Sequence, residues 1–414
     1  MNIMIVNHYA GSPEMGMEFR HYYLGKYWVE AGHNVVVICA SYSHLRRENP
    51  RVHNDIEERV INGITYIYIK TPQYSENDRR RTANIIKFVK TLGHYAASIA
   101  AHYKPDAVVA SSTYPFDIFP ASKLAKLSGA SLIYEIHDLW PLSLEVLHGY
   151  NDKSMVIKAV KMAQKQAVKR ADAVISILSE ADRYLTEISL TPKKYYWIPN
   201  GIQTEPEKII NYPTRHTAII QRYKEKGYFT VLYAGGFSQG NALDDFVKSA
   251  AKADADVMYI LVGDGMDRVR LKRIASEMHI RNIIFLEGVS KQAVSLLLPL
   301  ADCLYIGAKK SKLYSYGVGM NKLYDYLYSG TPVLCAVQGK ANPVELSGGG
   351  IIIEPESPAA VADGISRIKS MSHDARCSMG EKGKEYVRKY HDYRGLAFRY
   401  LEILEETSKG KTIE

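Results

Sequence analysis

The stretch 314–337 reads YSYGVGMNKLYDYLYSGTPVLCAV, and its residue types are those that hold phosphorylated ligands. Gly317 and Gly319 let the backbone take φ > 0 and approach a ligand closely. Asn321 is a good N-cap, and the spacing predicts a helix over 322–329 that Gly330 and Pro332 stop. The apolar run 332–337 then reads as a buried parallel strand. A helix N-terminus presents unpaired N–H groups and roughly half a positive charge, so a loop that aims one outward is an anion site, and Lys322 adds a full charge. Asp325, one turn in, is placed to accept hydrogen bonds from ribose hydroxyls. Any helix favours Asn at its start and an acid in its first turn, so the surroundings have to decide.

The surroundings repeat the theme. Glycine-bearing turns follow successive strands of the same half: Gly235-Gly236-Phe237-Ser238-Gln239-Gly240, then Gly263-Asp264-Gly265, then Gly288 with Val289 behind it. One such turn is weak evidence, but several on one sheet edge form a rim for a ligand. Near the N-terminus Gly11 and Gly16 loosen another loop after a strand. Arg20 falls in the first helical turn there, where a cation is unfavourable unless an anion is near. The dinucleotide fingerprint Gly-x-Gly-x-x-Gly is absent.

These loops need a scaffold, and alternating apolar and helical periods supply it. A strand over 2–7, a loop over 8–16, a helix from about 18 to 31 and a strand over 34–40 make a βαβ unit, hence a parallel sheet. Residues 59–70 alternate around Asn62-Gly63, a hairpin signal. A helix over 80–103, a strand over 106–112, a helix over 120–127 and strands over 131–137 and 173–177 follow. The polar, proline-broken stretch 202–226 reads as a linker. A second series has strands over 230–234, 257–262, 282–287, 302–306 and 333–337, and a helix over 392–406 comes after it. The expected fold is α/β, with two Rossmann-like doubly wound domains over 1–201 and 228–385. A linker over 202–227 joins them, and a C-terminal helix and tail cover 386–414. Ligands are expected at the carboxyl ends of the strands and in the cleft between the halves.

At 414 residues the chain exceeds what one core usually supports, and 46% hydrophobic with 23% charged residues is ordinary for a globular protein. No apolar run approaches the ~18 residues of a membrane span, and Met1-Asn2-Ile3-Met4-Ile5-Val6 is too short and lacks the basic start of a signal peptide. A cytoplasmic location is expected. Cys39, Cys303, Cys335 and Cys377 are too widely spaced for a disulfide framework or a zinc site and read as reduced core thiols. A net charge of +9 suits an anionic partner. Nucleic acid is disfavoured, because the basic residues are not interleaved with aromatics in any recognisable module.

The basic residues concentrate in two helices. Arg79-Arg80-Arg81 leads into one that carries Lys87 and Lys90. The other, over 153–170, contains no acidic residue. There Lys158, Lys161, Lys165 and Lys169 share one arc, and Val156, Val160, Ala163 and Ala167 are expected opposite. Such a helix is either a solvated surface helix or one that rests on an anionic membrane.

Taken in order, several of these segments resemble the retaining glycosyltransferases of family 4. They are His8-Tyr9 with the Gly16 loop, Ala31-Gly32-His33, Ile198-Pro199-Asn200-Gly201, Tyr233-Ala234-Gly235, Leu261-Val262-Gly263-Asp264-Gly265 and Ser329-Gly330-Thr331-Pro332-Val333, which span nearly the whole chain. Tyr316-Gly317 with Asn321-Lys322-Leu323-Tyr324-Asp325-Tyr326, and Asp138-Leu139-Trp140-Pro141 after a strand, resemble the branch that moves aminosugars in bacterial O-antigen, capsule or exopolysaccharide assembly. The resemblance implies the GT-B fold, with a UDP-sugar donor on the C-terminal domain and no metal or other cofactor. It further implies a lipid-linked saccharide acceptor at the inner face of the plasma membrane, so that an anionic membrane surface is a partner.

Carried over residue by residue, the family's E-x7-E motif falls on Gly317 and Asp325. Asp325 keeps the ribose role, while Gly317 lacks the first carboxylate. Phe237, Ser238 and Gln239 stand where many members place Arg and Lys in the first C-domain loop. That leaves Lys322, Lys309 or Arg268, and backbone N–H groups, to neutralise the leaving group. His137 matches the strand-end histidine beside the donor sugar; the plainer reading is a histidine satisfied by Asp138 or backbone. His137 and Lys322 are thus the catalytic candidates. Gly16, Gly236, Ser238, Gly265, Val289, Gly317, Asn321 and Asp325 are the donor-binding ones, and Arg20 is a candidate for an acceptor or phosphate. Two alternatives stay open: a GT-B epimerase acting on UDP-N-acetylglucosamine, and a catalytically silent nucleotide-sugar-binding partner of another transferase.

Overall fold

A computed structural model describes residues 1–16, 20–75, 80–205 and 212–410. The expected helix start at Glu18, Arg79 before the first basic helix, 206–211 of the linker and 411–414 of the tail lie outside them. The chain forms two compact units, Met1–Asn200 with Tyr393–Glu414, and Gly201–Asp392.

In the first unit the chain runs β1 (Asn2–Val6), α1 (Arg20–Glu30), β2 (Asn34–Ala40), β3 (Ile56–Ile61), β4 (Ile64–Ile69) and α2 (Arg80–Tyr103). It continues through β5 (Ala107–Ala110), α3 (Ile118–Ser128), β6 (Ser131–Ile136), α4 (Leu142–His148), α5 (Met155–Arg170), β7 (Ala173–Ser176), α6 (Ala181–Glu187) and β8 (Tyr195–Trp197). These strands form one sheet in the order β3-β4-β2-β1-β5-β6-β7-β8. Neighbours pair parallel except β3 and β4, whose antiparallel hairpin turns at Asn62 and Gly63, both at positive φ. β1 takes β2 on one side and β5 on the other, with Ile3 opposite Val35 and Ala107. The winding therefore reverses between β1 and β5, which makes their carboxyl ends the natural ligand crevice of this unit.

The second unit opens with α7 (Thr214–Glu225), inside the stretch expected to be a linker. Pro213 occupies the N-cap position and Ile220 is fully buried. A proline before a helix does not break it, so Pro213, which reads as linker punctuation, here marks a helix start. Then come β9 (Phe229–Ala234), α8 (Leu243–Ser249), β10 (Val257–Val262), α9 (Arg268–Glu277), β11 (Ile283–Leu286), α10 (Lys291–Leu297) and β12 (Cys303–Gly307). The unit ends with α11 (Asn321–Tyr328), β13 (Val333–Ala336), α12 (Pro343–Ser347), β14 (Gly350–Ile352), α13 (Pro358–Ser370) and α14 (His373–Tyr390). The sheet order is β11-β10-β9-β12-β13-β14, all parallel, and the winding reverses between β9 and β12.

The last helix, α15 (Tyr393–Lys409), belongs to the first unit rather than to a separate C-terminal piece. Leu396, Ala397, Tyr400 and Leu404 share one apolar core with Ile3, Val37 and Tyr66, and Trp28 Nε1 donates to the Ala397 carbonyl at 2.8 Å. The expected piece over 386–414 is thus divided, with α14 in the second unit and α15 in the first.

Two expectations need correction. On α5 the buried stripe is Ile157, Val160, Ala163, Gln164, Ala167 and Val168, whereas Val156 is exposed together with Met155 and Met162. Among the cysteines, Cys39, Cys303 and Cys335 are buried, but Cys377 is exposed on α14. Among the described residues no helix is long and apolar enough to cross a membrane.

Candidate active site

In the second unit, the turns after β9, β10 and β11 are stitched into one rim. Phe237 N donates to the Asp264 carbonyl at 2.8 Å, and Gly288 N donates to Asp264 Oδ2 at 2.8 Å. Gly265 is required by this stitching: its φ is 151°, and an added Cβ would lie 2.3 Å from the Phe237 carbonyl oxygen. Across the winding reversal α11 is clamped to β9, because Tyr326 Oη donates to the Ala234 carbonyl at 3.0 Å and accepts from Ala234 N at 2.8 Å. That clamp brings Lys322 over the first turn. An added Cβ on Gly235 would sit 2.9 Å from Lys322 Cδ, so only glycine lets the lysine lie this close.

Lys322 Nζ donates to Tyr233 Oη at 2.9 Å and to Asn241 Oδ1 at 2.7 Å, and it lies 4.9 Å from the centre of the Tyr233 ring. Neither hydrogen-bond partner is charged. Tyr233 Oη in turn donates to the Gly236 carbonyl at 2.7 Å, and Asn241 Nδ2 donates to that carbonyl at 2.8 Å and to Ser238 Oγ at 2.9 Å. Lys322, Gly236 and Ser238 therefore meet, joined through Asn241, which the sequence did not single out, and Tyr233, named there only within the segment Tyr233-Ala234-Gly235. Burial lowers the Lys322 ammonium to about 8. An enclosed cation whose neighbours are only dipoles suits an incoming anion, which would restore the lost solvation.

Asp325 faces Lys291 at 3.7 Å; burial pushes its carboxyl upward against the pull of that lysine. Gly317 ends a 3₁₀ turn with φ 134°, but Gly319 does not use the left-handed region, so one glycine and not two shapes that loop. Asn321 is not the N-cap. It is already the first helical residue and is exposed; Met320 holds the cap position without a side-chain bond. Val289 packs against the apolar core and offers a ligand only its backbone. Of the auxiliary cations, Arg268 Nη1 bonds the carbonyls of Gly263 and Leu286 and pairs with Asp264, so it braces the rim. Lys309 lines a separate hollow after β12 with Lys310, Lys312 and Gln338.

In the first unit Arg20 is not a phosphate ligand. It is 4% exposed, and its Nε and Nη2 reach Glu135 Oε1 at 3.1 and 2.9 Å. Its remaining donors go to the carbonyls of Pro199 and Ile198 at 2.7 and 2.9 Å. The anion that a cation in this first turn demanded is an internal carboxylate from β6. The same carboxylate holds His137: Glu135 Oε2 lies 2.9 Å from His21 Nε2 and 3.1 Å from His137 Nε2. Ser111 Oγ lies 2.6 and 3.0 Å from the two ring nitrogens. His137, read as satisfied by Asp138 or backbone in the plainer alternative, is thus partnered by Glu135 and Ser111. Burial works to raise the Glu135 carboxyl, but Arg20, His137 and the hydrogen bonds together hold it well below the usual range. His21, Glu135 and His137 put ligand atoms within 4.8 Å of one another, as a metal site would. Their facing atoms are already hydrogen-bonded, and the Arg20 charge sits on the same carboxylate, so the cluster is neutralised from within. Gly16 stands apart from it; it closes a 3₁₀ turn at φ 73° beside the Arg47 side chain.

With this geometry in place, comparison with known proteins is informative. The model described as "Glycosyltransferase Family 4" matches residues 15–206, and the one described as "Glycosyl transferases group 1" matches residues 216–386. The chain is 22% identical over 363 residues to the putative colanic acid biosynthesis glycosyl transferase WcaI of Escherichia coli K12, covering 83% of this chain and 87% of that one. Among solved structures it is similar to a sucrose-phosphate synthase from Thermosynechococcus elongatus, at TM-score 0.72, 16% identity and 98% coverage of each chain. It is also similar to Anabaena HepE in complex with UDP and glucose, at TM-score 0.69, 14% identity and 98% and 99% coverage. WaaG, a glycosyltransferase involved in lipopolysaccharide biosynthesis, matches at TM-score 0.66, 16% identity and 97% and 99% coverage.

Proposed function

We propose a donor, an acceptor class and a mechanism for a chain that belongs to the family 4 glycosyltransferases and has the GT-B fold: it moves an N-acetylated aminosugar from a UDP donor to a lipid-linked saccharide in surface polysaccharide biosynthesis. The observation that carries the donor half is the Lys322 ammonium, enclosed between Tyr233 and Asn241 at the winding reversal of the second sheet. Supporting it, HepE was seen with UDP and glucose, and the E. coli trehalose-6-phosphate protein, 12% identical, with UDP-2-fluoro glucose.

Breaking the anomeric C–O bond builds negative charge on the nucleotide diphosphate. Lys322 and the N–H groups opening α11 stabilise it there, already in position and without solvent reorganisation. The configuration is retained by attack from the leaving-group face, the departing phosphate taking the acceptor's proton, so neither a carboxylate base nor a metal has an assigned step. The test is transfer of labelled sugar from UDP-N-acetylhexosamines to a lipid-linked acceptor. Binding of these donors without transfer to any lipid-linked acceptor would favour a silent nucleotide-sugar-binding partner, a reading that Gly317 supports by supplying no carboxylate.

Asp325→Ala should weaken UDP binding by roughly 10–100-fold, the range for losing a hydrogen bond to a charged acceptor. A uridine diphosphate lacking both ribose hydroxyls should bind the variant and the parent alike in calorimetry. Equal losses for the two ligands would make Asp325 a structural partner of Lys291 instead.

The membrane half rests on α5. Lys158, Lys161, Lys165 and Lys169 are exposed, and Met155, Val156 and Met162 project beside them, so the helix offers both charge and apolar side chains. Lys161 is paired with Asp152 at 2.7 Å, which reduces the net attraction. Changing the four lysines to Gln should release the protein from anionic vesicles at low salt, where charge acts beyond the ~8 Å of physiological screening. UDP binding should be unchanged. Sedimentation with vesicles equal to the parent's would remove α5 from the proposal.

A further inference from the structure

The two sheets end in four edge strands, β3 and β8 in the first unit, β11 and β14 in the second. An open edge is a row of unpaired N–H and C=O groups that another chain can join, and charged side chains, short strands or a covering element are the usual guards. β3 carries Glu58 and Arg59, both exposed, and β14 has only three residues. At β8, Tyr196 Oη donates to Glu406 of α15 at 3.1 Å, and Lys194 pairs with the same carboxylate. β11 has no charged residue. It reads Ile283-Ile284-Phe285-Leu286, and all four side chains are only half-buried.

The register fixes which backbone groups of β11 are open. Tyr259 stands opposite Ile283 and Leu261 opposite Phe285, and the carbonyls of Asn282 and Leu286 accept from Tyr259 N at 2.9 Å and Gly263 N at 3.2 Å. Backbone groups alternate in direction along a strand, so Ile283 and Phe285 turn theirs away from the sheet. Arg268 Nη2 lies 3.5 Å from the Phe285 carbonyl, which leaves the N–H and C=O of Ile283 and the N–H of Phe285 facing outward. Beside them is a hollow of about 540 Å³, floored by Ile219, Tyr223, Ile280 and β11 itself. α7 forms one wall, on the face where Ile284 and Leu286 pack, and α9 forms the other, on the face of Ile283 and Phe285. Each wall carries an exposed cation, Arg222 on α7 and Lys272 on α9. Neighbours on the same helices have acids, Lys224 with Asp302 at 3.2 Å and Arg273 with Glu277 at 3.6 Å. Among the described residues Arg222 and Lys272 have none.

We propose that this edge is a docking site for an extended, acidic segment of a partner protein, which adds as a further strand beside β11. Its apolar side chains enter the hollow, its acidic ones meet Arg222 and Lys272, and its backbone takes the free groups of Ile283 and Phe285. The two cations choose this occupant over a second copy of the chain, since two such edges laid together would bring Arg222 and Lys272 against their own kind. A bilayer is excluded by the open backbone, which hydrocarbon cannot satisfy. The site lies wholly within the second unit and is independent of the transfer reaction.

The probe is a short fluorescent peptide of alternating valine and glutamate, offered to the full chain beside one in which lysine replaces glutamate. Anisotropy should show saturable binding of the first and none of the second. Amide hydrogen exchange should slow at Ile283 and Phe285 in the complex but not at Ile284, whose N–H is already bonded within the sheet. Arg222→Ala with Lys272→Ala should weaken binding about tenfold, the worth of two exposed ion pairs, while UDP affinity stays at the parent's value. Ile283→Pro removes one outward N–H and no ladder bond, so it should abolish binding; the alanine variants, at exposed positions, keep the comparison available if it fails to fold. No binding of the glutamate peptide, equal binding of the two peptides, or slowed exchange only elsewhere would overturn the proposal. A concentration-dependent dimer that Ile283→Pro dissolves would also overturn it, by assigning the edge to a second copy.

Discussion

Lys322→Ala is expected to lower turnover by ~10²–10³, the range for removing one preorganised charge contact from a transition state, while the unfolding temperature moves little. The geometry explains the separation. Lys322 Nζ bonds only a phenol and an amide, and Tyr233 Oη and Asn241 Nδ2 still hold the Gly236 carbonyl when the ammonium is gone. The rim therefore keeps its shape and loses its charge. Steady-state transfer kinetics beside thermal unfolding test this directly. Near-normal turnover would reduce Lys322 to a brace between α11 and the first turn, and a collapse of stability with turnover would mean that the lysine holds the fold.

Arg20→Ala is expected to destabilise the protein by ~3–5 kcal/mol in urea unfolding, because it leaves a buried carboxylate without its cation. Arg20 and Glu135 lie 2.9 Å apart at 4% and 0% exposure, where solvent cannot replace the missing partner. Replacing both together, as Arg20→Met with Glu135→Gln, should recover much of the loss, since the uncompensated charge is then absent. An Arg20→Ala protein as stable as the parent but weaker for a phosphorylated acceptor would restore the ligand role that the sequence suggested.

That reversal shows what a single sequence can and cannot reveal. The cation in the first turn of α1 correctly demanded an anion, but nothing in the local pattern says that the anion comes from a strand 115 residues away. Glu135 did leave a trace, as a carboxylate inside the apolar run SLIYEI, which reads as a strand buried on both faces. His21 and Ser111 left none, because a histidine on a helix and a serine after a strand are unremarkable until packing joins them. The longer parallel strands were readable because buried parallel strands are continuous apolar runs bounded by glycine turns, whereas the three-residue β8 and β14 were missed. α7 was missed where Pro213 precedes a polar helix, and α15 was seen as a helix without its partner, since amphipathic spacing names a buried face but not what covers it. On α5 the same spacing misplaced Val156 by one position around the helix, enough to exchange buried for exposed. Around the rim of the second sheet the glycines, Lys322 and Asp325 stood out by type; Tyr233 and Asn241, which orient the lysine, did not.

Calorimetric titration of UDP across pH is the most direct test that the second unit binds a nucleotide diphosphate through Lys322. Burial lowers this ammonium to about 8, so below that pH the site is already charged and binding needs no proton. Above it the free protein is neutral at Lys322, and a bound diphosphate must draw a proton in. Affinity should therefore be flat from about pH 7, above the second ionisation of the terminal phosphate, to about pH 8, and fall by up to about tenfold per pH unit above it, with proton uptake there visible as a buffer-dependent heat, and Lys322→Ala should bind weakly without this dependence above pH 8. UDP binding that is pH-independent and equal in the parent and Lys322→Ala, or no binding of any uridine nucleotide, would contradict the assignment.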